Sequence, residues 1–364
     1  MAKKRVLVAM SGGVDSSVAA ALLLEQGYEV IGVTMQLWDY SKNETSCDPN
    51  ANFDTCCSLD DVADARMVAH RLGIPFYVLD YQDDFKHNVV DYFTKEYLRG
   101  QTPNPCVACN TFLKFDHLME RAERLKCDYV ATGHFARITY NETENIYSLR
   151  KGLDSLKDQS YFLYALSQER LSKILFPLGE LTKPQVRAAA QKFGLVNAAK
   201  KESMEICFIP NNDYAGFIEK NSNAADIIKG ELRHENGTWL GQHSGIHQFT
   251  VGQRKGLGIA TGDVVYVTRI DPESGTVYVG SEEQLMREGF VFRNFHQIRP
   301  CGVNEDYEVK IRYRSAPALA ILNQKSDNLG MNFASKQRSV TPGQIAVLYR
   351  GDEVFGGGFI DQVV

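Results

Sequence analysis

Nowhere in the 364 residues is there an uninterrupted apolar run of the roughly 18–20 residues that a membrane span requires. The basic start leads only into Val6–Met10 before glycines intervene, which is too short for the apolar region of a secretory signal. A cytoplasmic protein without membrane attachment is therefore expected. An excess of basic charge is also missing. Forty Lys and Arg against 45 Asp and Glu leave a net charge of −5, which argues against indiscriminate nucleic-acid binding but not against a specific RNA held on a local basic face. There is no internal repeat and no low-complexity tract. The eight cysteines have no secretory context, so they are expected to be reduced, catalytic or metal-bound rather than a disulfide framework.

What is present divides into textures. The length calls for two or three domains. In the first half, apolar strand runs (Val6–Met10, Glu29–Leu37, Ile74–Asp80, Asp128–His134) alternate with helical patterns (Val14–Gln26, Ser58 to Gly73, Phe85–Arg99, Asn110–Leu125). That order predicts a parallel sheet covered by helices on both faces, a Rossmann-like α/β domain. A hairpin around Asn141 and helices near Ser160–Lys173 and Pro184–Phe193 follow. After Cys207 glycines become frequent and short β-rich runs take over, with Asp263–Ile270 facing Thr276–Val279 across a turn. The boundaries expected are 1–208 for the α/β domain, 209–282 for a small β-rich central domain, and 283–364 for an antiparallel β-barrel.

The sharpest chemical signal is VLVAMSGGVDSSVAAALLL, residues 6–24. A strand ends at Ala9–Met10, Gly12 and Gly13 permit a tight turn, and a helix begins at Val14. Backbone N–H groups and the positive helix end then converge on one point, an anion site. Ser11, Ser16 and Ser17 add hydroxyls. No Gly-Lys-Ser/Thr ending follows, which excludes the Walker loop. Two strand-end positions suit the same pocket, since ligands gather at the carboxyl ends of such strands: Met35, whose thioether could lie on a base or belong to the core, and Gly133, where a ligand could approach the backbone.

Ser-Gly-Gly-x-Asp-Ser resembles the pyrophosphate (PP) loop of the adenine nucleotide α-hydrolases. The resemblance implies ATP cleaved between the α and β phosphates, with Asp15 helping to hold Mg²⁺. Because many enzymes share that loop, the cysteines must narrow the substrate. Replacing an AMP-activated oxygen by sulfur calls for a nucleophilic persulfide and a second thiol to cut the remaining sulfur–sulfur bond. Cys109 and Cys207 are the candidates. Cys109, just before a helix predicted from Asn110, would have its pKa lowered by the helix dipole. Its loop, Thr102-Pro-Asn-Pro-Cys106-Val-Ala-Cys109, reads as stiff and exposed. By itself, Cys207 between Ile206 and Phe208 would be a core cysteine.

The ordered motifs SGGVDSS, TPNPCVACN, ATGHFARI, KDQSYFLYAL, KPQVRAAA, ICFI, GQRKGLGI and TPGQIAVLY extend the likeness along the whole chain. It resembles the bacterial tRNA-specific 2-thiouridylases, which make 2-thiouridine at the wobble position. The resemblance implies that Cys207 carries the persulfide and Cys109 releases the sulfur as a Cys109–Cys207 disulfide. It places Asn104, Pro105 and Cys106 at the target base, and His134, Lys157, Asp158, Gln159, Arg312, Tyr313 and Gln344 against tRNA. It further implies Lys, Glu and Gln acceptors; the sulfur donor would be a desulfurase or relay protein, or free sulfide, and a monomer is expected. Where known members carry Asp after Thr-Pro-Asn-Pro, this chain has Cys106, and a thiol is a poor substitute for that acid. Cys106, Cys109 and Cys207 could instead hold a [4Fe–4S] cluster with one open iron, or Cys106 could be a spare thiol on the persulfide route. A structural zinc would need a fourth ligand that is not obvious nearby. The basic alternation Lys310-Ile-Arg312-Tyr-Arg314 would share one side of a strand, and GQRKGLGI would pack near the active site. Cys47, Cys56 and Cys57 could form a second metal site or be incidental. A rival reading is a PP-loop synthase that adenylates a small molecule for amination; another is a non-enzymatic RNA- or metal-binding protein.

Overall fold

The computed structural model describes residues 3–38, 59–200, 206–325 and 327–364. Ser58, Cys47, Cys56 and Cys57 lie outside the described residues. Two compact units emerge, one of residues 1–89, 106–212 and 352–354, the other of residues 90–105, 213–351 and 355–364.

In the first unit, β1 (Arg5–Ala9), α1 (Val14–Glu25), β2 (Glu29–Gln36), α2 (Leu59–Leu72) and β3 (Phe76–Asp80) alternate as the periodicity predicts. α1 stops where Gly27 takes φ +88°, and α2 where Gly73 takes φ +67°, the left-handed turns that only glycine adopts cheaply. α3 (Gln82–Phe85) runs into helical turns that lead to α4 (Asp91–Leu98) of the other unit. Next come α5 (Pro105–Cys109), α6 (Phe115–Arg124), β4 (Tyr129–Ala131), the hairpin β5 (Ala136–Asn141) and β6 (Ile146–Lys151), α7 (Gln168–Ser172), β7 (Ile174–Leu175) and α8 (Lys183–Lys192). The sheet order is β3-β2-β1-β4-β7, all parallel, so chain progression reverses between β1 and β4. Such a switch point opens a crevice beyond the carboxyl ends of the two strands. The core beneath it packs Val6, Val8, Val18, Leu23, Val30, Val68, Val186 and Ala190, all nearly or wholly buried. β1 is buried on both faces, which is why its sequence is a continuous apolar run rather than an alternating one.

The second unit contains two β structures. β8 (Gly230–His234), β9 (Trp239–His243), β10 (Tyr266–Asp271) and β11 (Thr276–Gly280) form a four-stranded sheet ordered β10-β11-β8-β9, around Leu232, Ile246, Phe249, Val267, Val277 and Val279. β10 and β11 are the hairpin expected across Asp271–Gly275. β12 (Met286–Gln297), β13 (Asp306–Lys310), β14 (Ala318–Lys325), β15 (Asn328–Arg338), β16 (Ile345–Arg350) and the final strand β17 (Glu353–Val363) make the antiparallel barrel. β12 pairs with both β15 and β17, closing it. Closure removes the exposed edges that an open sheet would leave.

Three local expectations are corrected. The helix expected from Asn110 begins five residues earlier, because Pro105 supplies a fixed φ at a first helical position that needs no N–H. Thr102, Pro103 and Pro105 are buried, so only Cys106 of that stretch is exposed. The basic alternation is not a strand face: β13 ends at Lys310 and Arg312–Ser315 form a turn, with Ser315 N–H donating to Arg312 O.

Candidate active site

The loop between β1 and α1 lies at the switch point. Gly12 has φ +77°, and a Cβ there would fall 2.2 Å from the Asp61 carbonyl oxygen of α2, so only glycine lets the loop lie against α2. Ser16 Oγ accepts from Ser11 N–H at 3.1 Å, and Ser17 Oγ donates to Gly13 O at 2.9 Å, which fixes the turn from within. Gly13 caps α1 without side-chain help, so no cap side chain competes for the first-turn N–H groups, which suits an anion cradle. Ala9, Met10, Ser11, Gly12, Gly13, Val14, Asp15 and Ser16 are thus brought together.

Gly133, just beyond β4, lies against the phosphate loop. A Cβ on it would come within 2.7 Å of Ser16 N, so it is the backbone of the loop itself that approaches. Met35 is buried in β2 with 7 % exposure, as in the core reading.

Sequence reading passed over Lys183 as part of a helix motif. Its Nζ donates to both oxygens of Asp15, at 2.6 and 2.8 Å, and the lysine side chain is only 9 % exposed. The residue opens α8 after Thr182, whose N–H donates to Gln185 Oε1, while Lys183 N–H donates to Asp154 Oδ2 at 2.9 Å. A cation at the positive end of a helix opposes the helix dipole. That mismatch was the signal available in the sequence, and Asp15 compensates for it. One carboxylate in the first turn of α1, beside a phosphate cradle, suits Mg²⁺, which takes one or two protein carboxylates together with phosphate oxygens.

The three cysteines are all in the first unit, in different settings. Cys106 is exposed, Cys109 is buried, and Cys207 is partly buried. Cys109 is the last residue of α5 with helical φ −60° and ψ −44°, and the chain continues helically through Asn110–Lys114. It is therefore inside a helical run, and the dipole argument for its activation does not hold. Cys207 adjoins Phe208, 1 % exposed, whose ring meets Phe85 at 5.4 Å and Trp38 at 6.3 Å. Among the described residues, no three His, Cys, Asp or Glu side chains are gathered as a metal site, so Cys106, Cys109 and Cys207 are not assembled as cluster ligands here.

Of the residues expected against RNA, several are engaged internally. Asp158 is 8 % exposed and accepts from Gly152 N–H, Ser160 N–H and Ser160 Oγ. Gln159 Oε1 accepts from Phe135 N–H at 2.9 Å. Lys157 is partly buried in the same turn, beside Leu156, which is 88 % exposed. His134 packs between Phe115 and Phe176 with its Nδ1 2.7 Å from Thr132 Oγ1. Burial, aided by the Lys114 ammonium, lowers its pKa to about 3, so it is neutral and cannot act as a phosphate-binding cation.

The second unit shows the same economy. Arg312 donates through Nη2 to Thr341 Oγ1 at 2.7 Å and Ser339 O at 3.0 Å. Gln344 Nε2 donates to Thr102 O at 2.8 Å, and Thr102 N–H donates to Pro342 O at 3.0 Å. Gly343, at φ +87°, lies so close that a Cβ would be 2.8 Å from Thr102 N. The Thr341–Gln344 turn therefore holds the start of the Thr-Pro-Asn-Pro segment. Asn104 and Tyr313 are partly buried, and Lys310 Nζ lies 5.6 Å from the Tyr313 ring centre. The GQRKGLGI motif lines an open groove of about 570 Å³ with Arg254, Leu257 and Ile259.

Family profiles match the chain in three consecutive blocks. They are described as tRNA methyl transferase HUP domain over residues 4–211, tRNA methyl transferase PRC-barrel domain over 216–281, and Aminomethyltransferase beta-barrel domain over 290–360. The chain is 49% identical over 363 residues to the tRNA-specific 2-thiouridylase MnmA of Carboxydothermus hydrogenoformans, covering 99% of this chain and 98% of that protein. It is 49% identical over 362 residues to the protein of the same name from Geobacter metallireducens, covering 99% and 97%. The identity to that of Geotalea uraniireducens is 48% over 364 residues, covering 100% and 96%.

Proposed function

This chain belongs to the tRNA-specific 2-thiouridylase family, a tRNA sulfurtransferase that uses ATP, and we propose that its residues divide the work as follows. ATP lies with its phosphates on the Ser11–Ser16 loop, Met35 and Gly133 bordering the nucleotide. Asp15 would hold Mg²⁺, which would supply charge neutralisation for the departing pyrophosphate. Lys183, now on Asp15, adds a fixed positive charge at the same place.

The O2 oxygen of the wobble uridine attacks the α-phosphorus and pyrophosphate leaves. The terminal sulfur of a Cys207 persulfide attacks C2, and AMP leaves with the oxygen. The Cys109 thiolate then attacks Cys207 Sγ; the sulfur–sulfur bond breaks, the sulfur stays on C2 as the thiocarbonyl, and a Cys109–Cys207 disulfide remains. A thiol reductant and a fresh persulfide donor, a desulfurase or relay protein, restore the enzyme.

The tRNAs are those with Lys, Glu and Gln acceptors. Asn104, Pro105 and Cys106 border the base. His134 contributes as a neutral ring, and Lys157, Arg312, Tyr313 and Gln344 serve the RNA face directly or by holding it. The working form is a cytoplasmic monomer divided at 1–208, 209–282 and 283–364. The persulfide route is preferred because it needs only two thiols to meet, whereas a [4Fe–4S] route needs all three gathered, and among the described residues they are not.

The observation that carries the reading is near-half identity along essentially the whole of both chains. Its test is incubation with ATP, Mg²⁺, a persulfide donor and unmodified tRNA. 2-Thiouridine at the wobble position is expected; ATP consumption independent of tRNA, with no thiolated product, would instead favour a small-molecule synthase.

A further inference from the structure

Asn197 lies far along the chain from the phosphate loop, yet it is the residue that grips the loop from behind. It is 4 % exposed, and its Nδ2 donates to Gly12 O at 2.8 Å and to Ser17 Oγ at 2.9 Å. The orientation of this amide is fixed by chemistry, because a carbonyl oxygen can only accept. The Gly12–Gly13 peptide is trans, like every peptide among the described residues, so its N–H points opposite to its C=O. Drawing Gly12 O inward to Asn197 therefore turns Gly13 N–H outward, to the side where the anion cradle opens.

The segment that carries Asn197 is itself clamped. Arg187 of α8 donates to Ala198 O at 3.1 Å and Lys200 O at 3.4 Å. Lys200 Nζ pairs with Asp61 Oδ1 at 2.7 Å and with Asp64, both on α2. Asp61 is the residue whose carbonyl Gly12 lies against. The strap 197–200 is thus tied to the loop, to α2 and to the helix bearing Lys183, and from it the chain goes on to Cys207.

We propose that Asn197 is a positioning residue for the adenylation step: it sets the Gly12–Gly13 peptide so that Gly13 N–H receives the pyrophosphate oxygens. This rests on the phosphate-loop reading above. Without Asn197 the Gly12 carbonyl loses a buried donor, and the peptide can turn over and present its oxygen to the anion.

The test measures binding of inorganic pyrophosphate with Mg²⁺ by calorimetry, alongside tRNA affinity and the KM for ATP. Asn197→Ala should weaken pyrophosphate binding about tenfold, the worth of one buried hydrogen bond and its orphaned acceptor, with tRNA affinity unchanged. Asn197→Asp keeps the shape but, ionised, faces two oxygens with no donor. Its loss should be larger at pH 8 than that of Asn197→Ala, and should shrink towards pH 5.5, relative to wild type at each pH, because burial beside the Gly12 carbonyl raises the carboxyl pKa and an O–H returns. Should Asn197→Ala not fold, the isosteric variant decides alone. Pyrophosphate affinity within twofold of wild type in the folded variants overturns the proposal. A wild-type protein that binds neither pyrophosphate nor ATP overturns the phosphate-loop reading and this inference with it.

Discussion

Replacing Lys183 by Met tests whether the buried ion pair serves the phosphates or only the fold. Methionine keeps most of the stem that runs past Phe135, whose ring centre is 5.7 Å from Nζ, so the change removes charge more than packing. Both Lys183–Asp15 bonds are charge-assisted, but Asp15 is about a third exposed, at 32%, and water takes over part of its solvation. The stability loss should therefore be about 1–2 kcal/mol, below the 3–5 expected for breaking a fully buried pair. The catalytic loss should exceed it. Removing a preorganised charge from a site of developing anionic charge costs about 10²–10³-fold in rate, so tRNA-dependent pyrophosphate release at saturating ATP should fall by about two orders of magnitude. Lys183→Arg restores the charge and can grip the carboxylate with two N–H groups, but sits further out and should recover only part of the rate. A folded Lys183→Met enzyme releasing pyrophosphate at more than half the wild-type rate would show that Lys183 does no more than neutralise Asp15.

Cys207→Ser and Cys109→Ser should each abolish 2-thiouridine formation, by at least about 10³-fold, while leaving tRNA-dependent pyrophosphate release measurable, since neither thiol takes part in adenylation; mass spectrometry of digested tRNA reads the first and a phosphate-coupled assay the second. Cys106→Ala should retain most thiolation activity, and anaerobically reconstituted protein should contain well under one [4Fe–4S] cluster per chain; stoichiometric iron and acid-labile sulfide with a dead Cys106→Ala variant would reinstate the cluster. His134 is held neutral when folded, whereas the unfolded chain takes up its proton below about pH 6.5. Protonation of the unfolded state makes stability fall as pH drops from 6.5 towards 3, by about 1.4 kcal/mol at pH 5.5 for a fully shifted group. Urea titrations of His134→Gln should lack that component, and equal pH slopes in both proteins would contradict it. Gln344→Ala frees Thr102 O and should lower thiolation about three- to tenfold with little change in ATP affinity, as for one lost hydrogen bond.

The parts of the fold legible in the sequence were those where local chemistry and burial agree. Val6–Met10 could only be a doubly buried strand, Gly12–Gly13 could only turn tightly, and Gly27 and Gly73 marked helix ends where the structure has them at positive φ. The barrel was legible from its turns and β-rich runs, because its strands alternate. Less legible were the internal partners of polar groups, near or distant in the chain. Arg312 and Gln344 look like surface hydrogen-bonders until Thr341 and Thr102 are seen beside them. The Asp158 carboxylate closes the Gly152 and Ser160 turn, a structural role beside the RNA contact expected of it. Pro105 was read as stiffening a loop, when the same fixed φ starts a helix, and that shift of five residues removed the dipole argument for Cys109. Lys183 and Asn197 carried weak local signals because their partners lie more than 160 residues upstream.

These partners share a pattern that separates the two halves of the chemistry. Around the phosphate loop the unit concentrates polar anchors: Lys183 on Asp15, Asn197 on Gly12 and Ser17, and Lys200 on Asp61 and Asp64. Next to Cys207, the residue proposed to carry the sulfur, it uses apolar packing, with Phe208 set among Phe85 and Trp38. The division follows from what each half must stabilise. Pyrophosphate departure places charge at fixed points, and fixed dipoles and cations lower its energy most when they need not reorganise. Sulfur transfer moves a soft nucleophile over a short path and is lost to water or stray thiols if exposed, so it calls for a dry wall and a rigid neighbour. An electrostatic substitution near Cys207, such as Phe208→Lys, should therefore impair thiolation far more than adenylation, whereas Lys183→Met should slow the first step and leave sulfur transfer to a pre-adenylated tRNA intact. If both substitutions slowed both steps equally, the loop and the thiol would form a single inseparable site, and this separation of roles would be wrong.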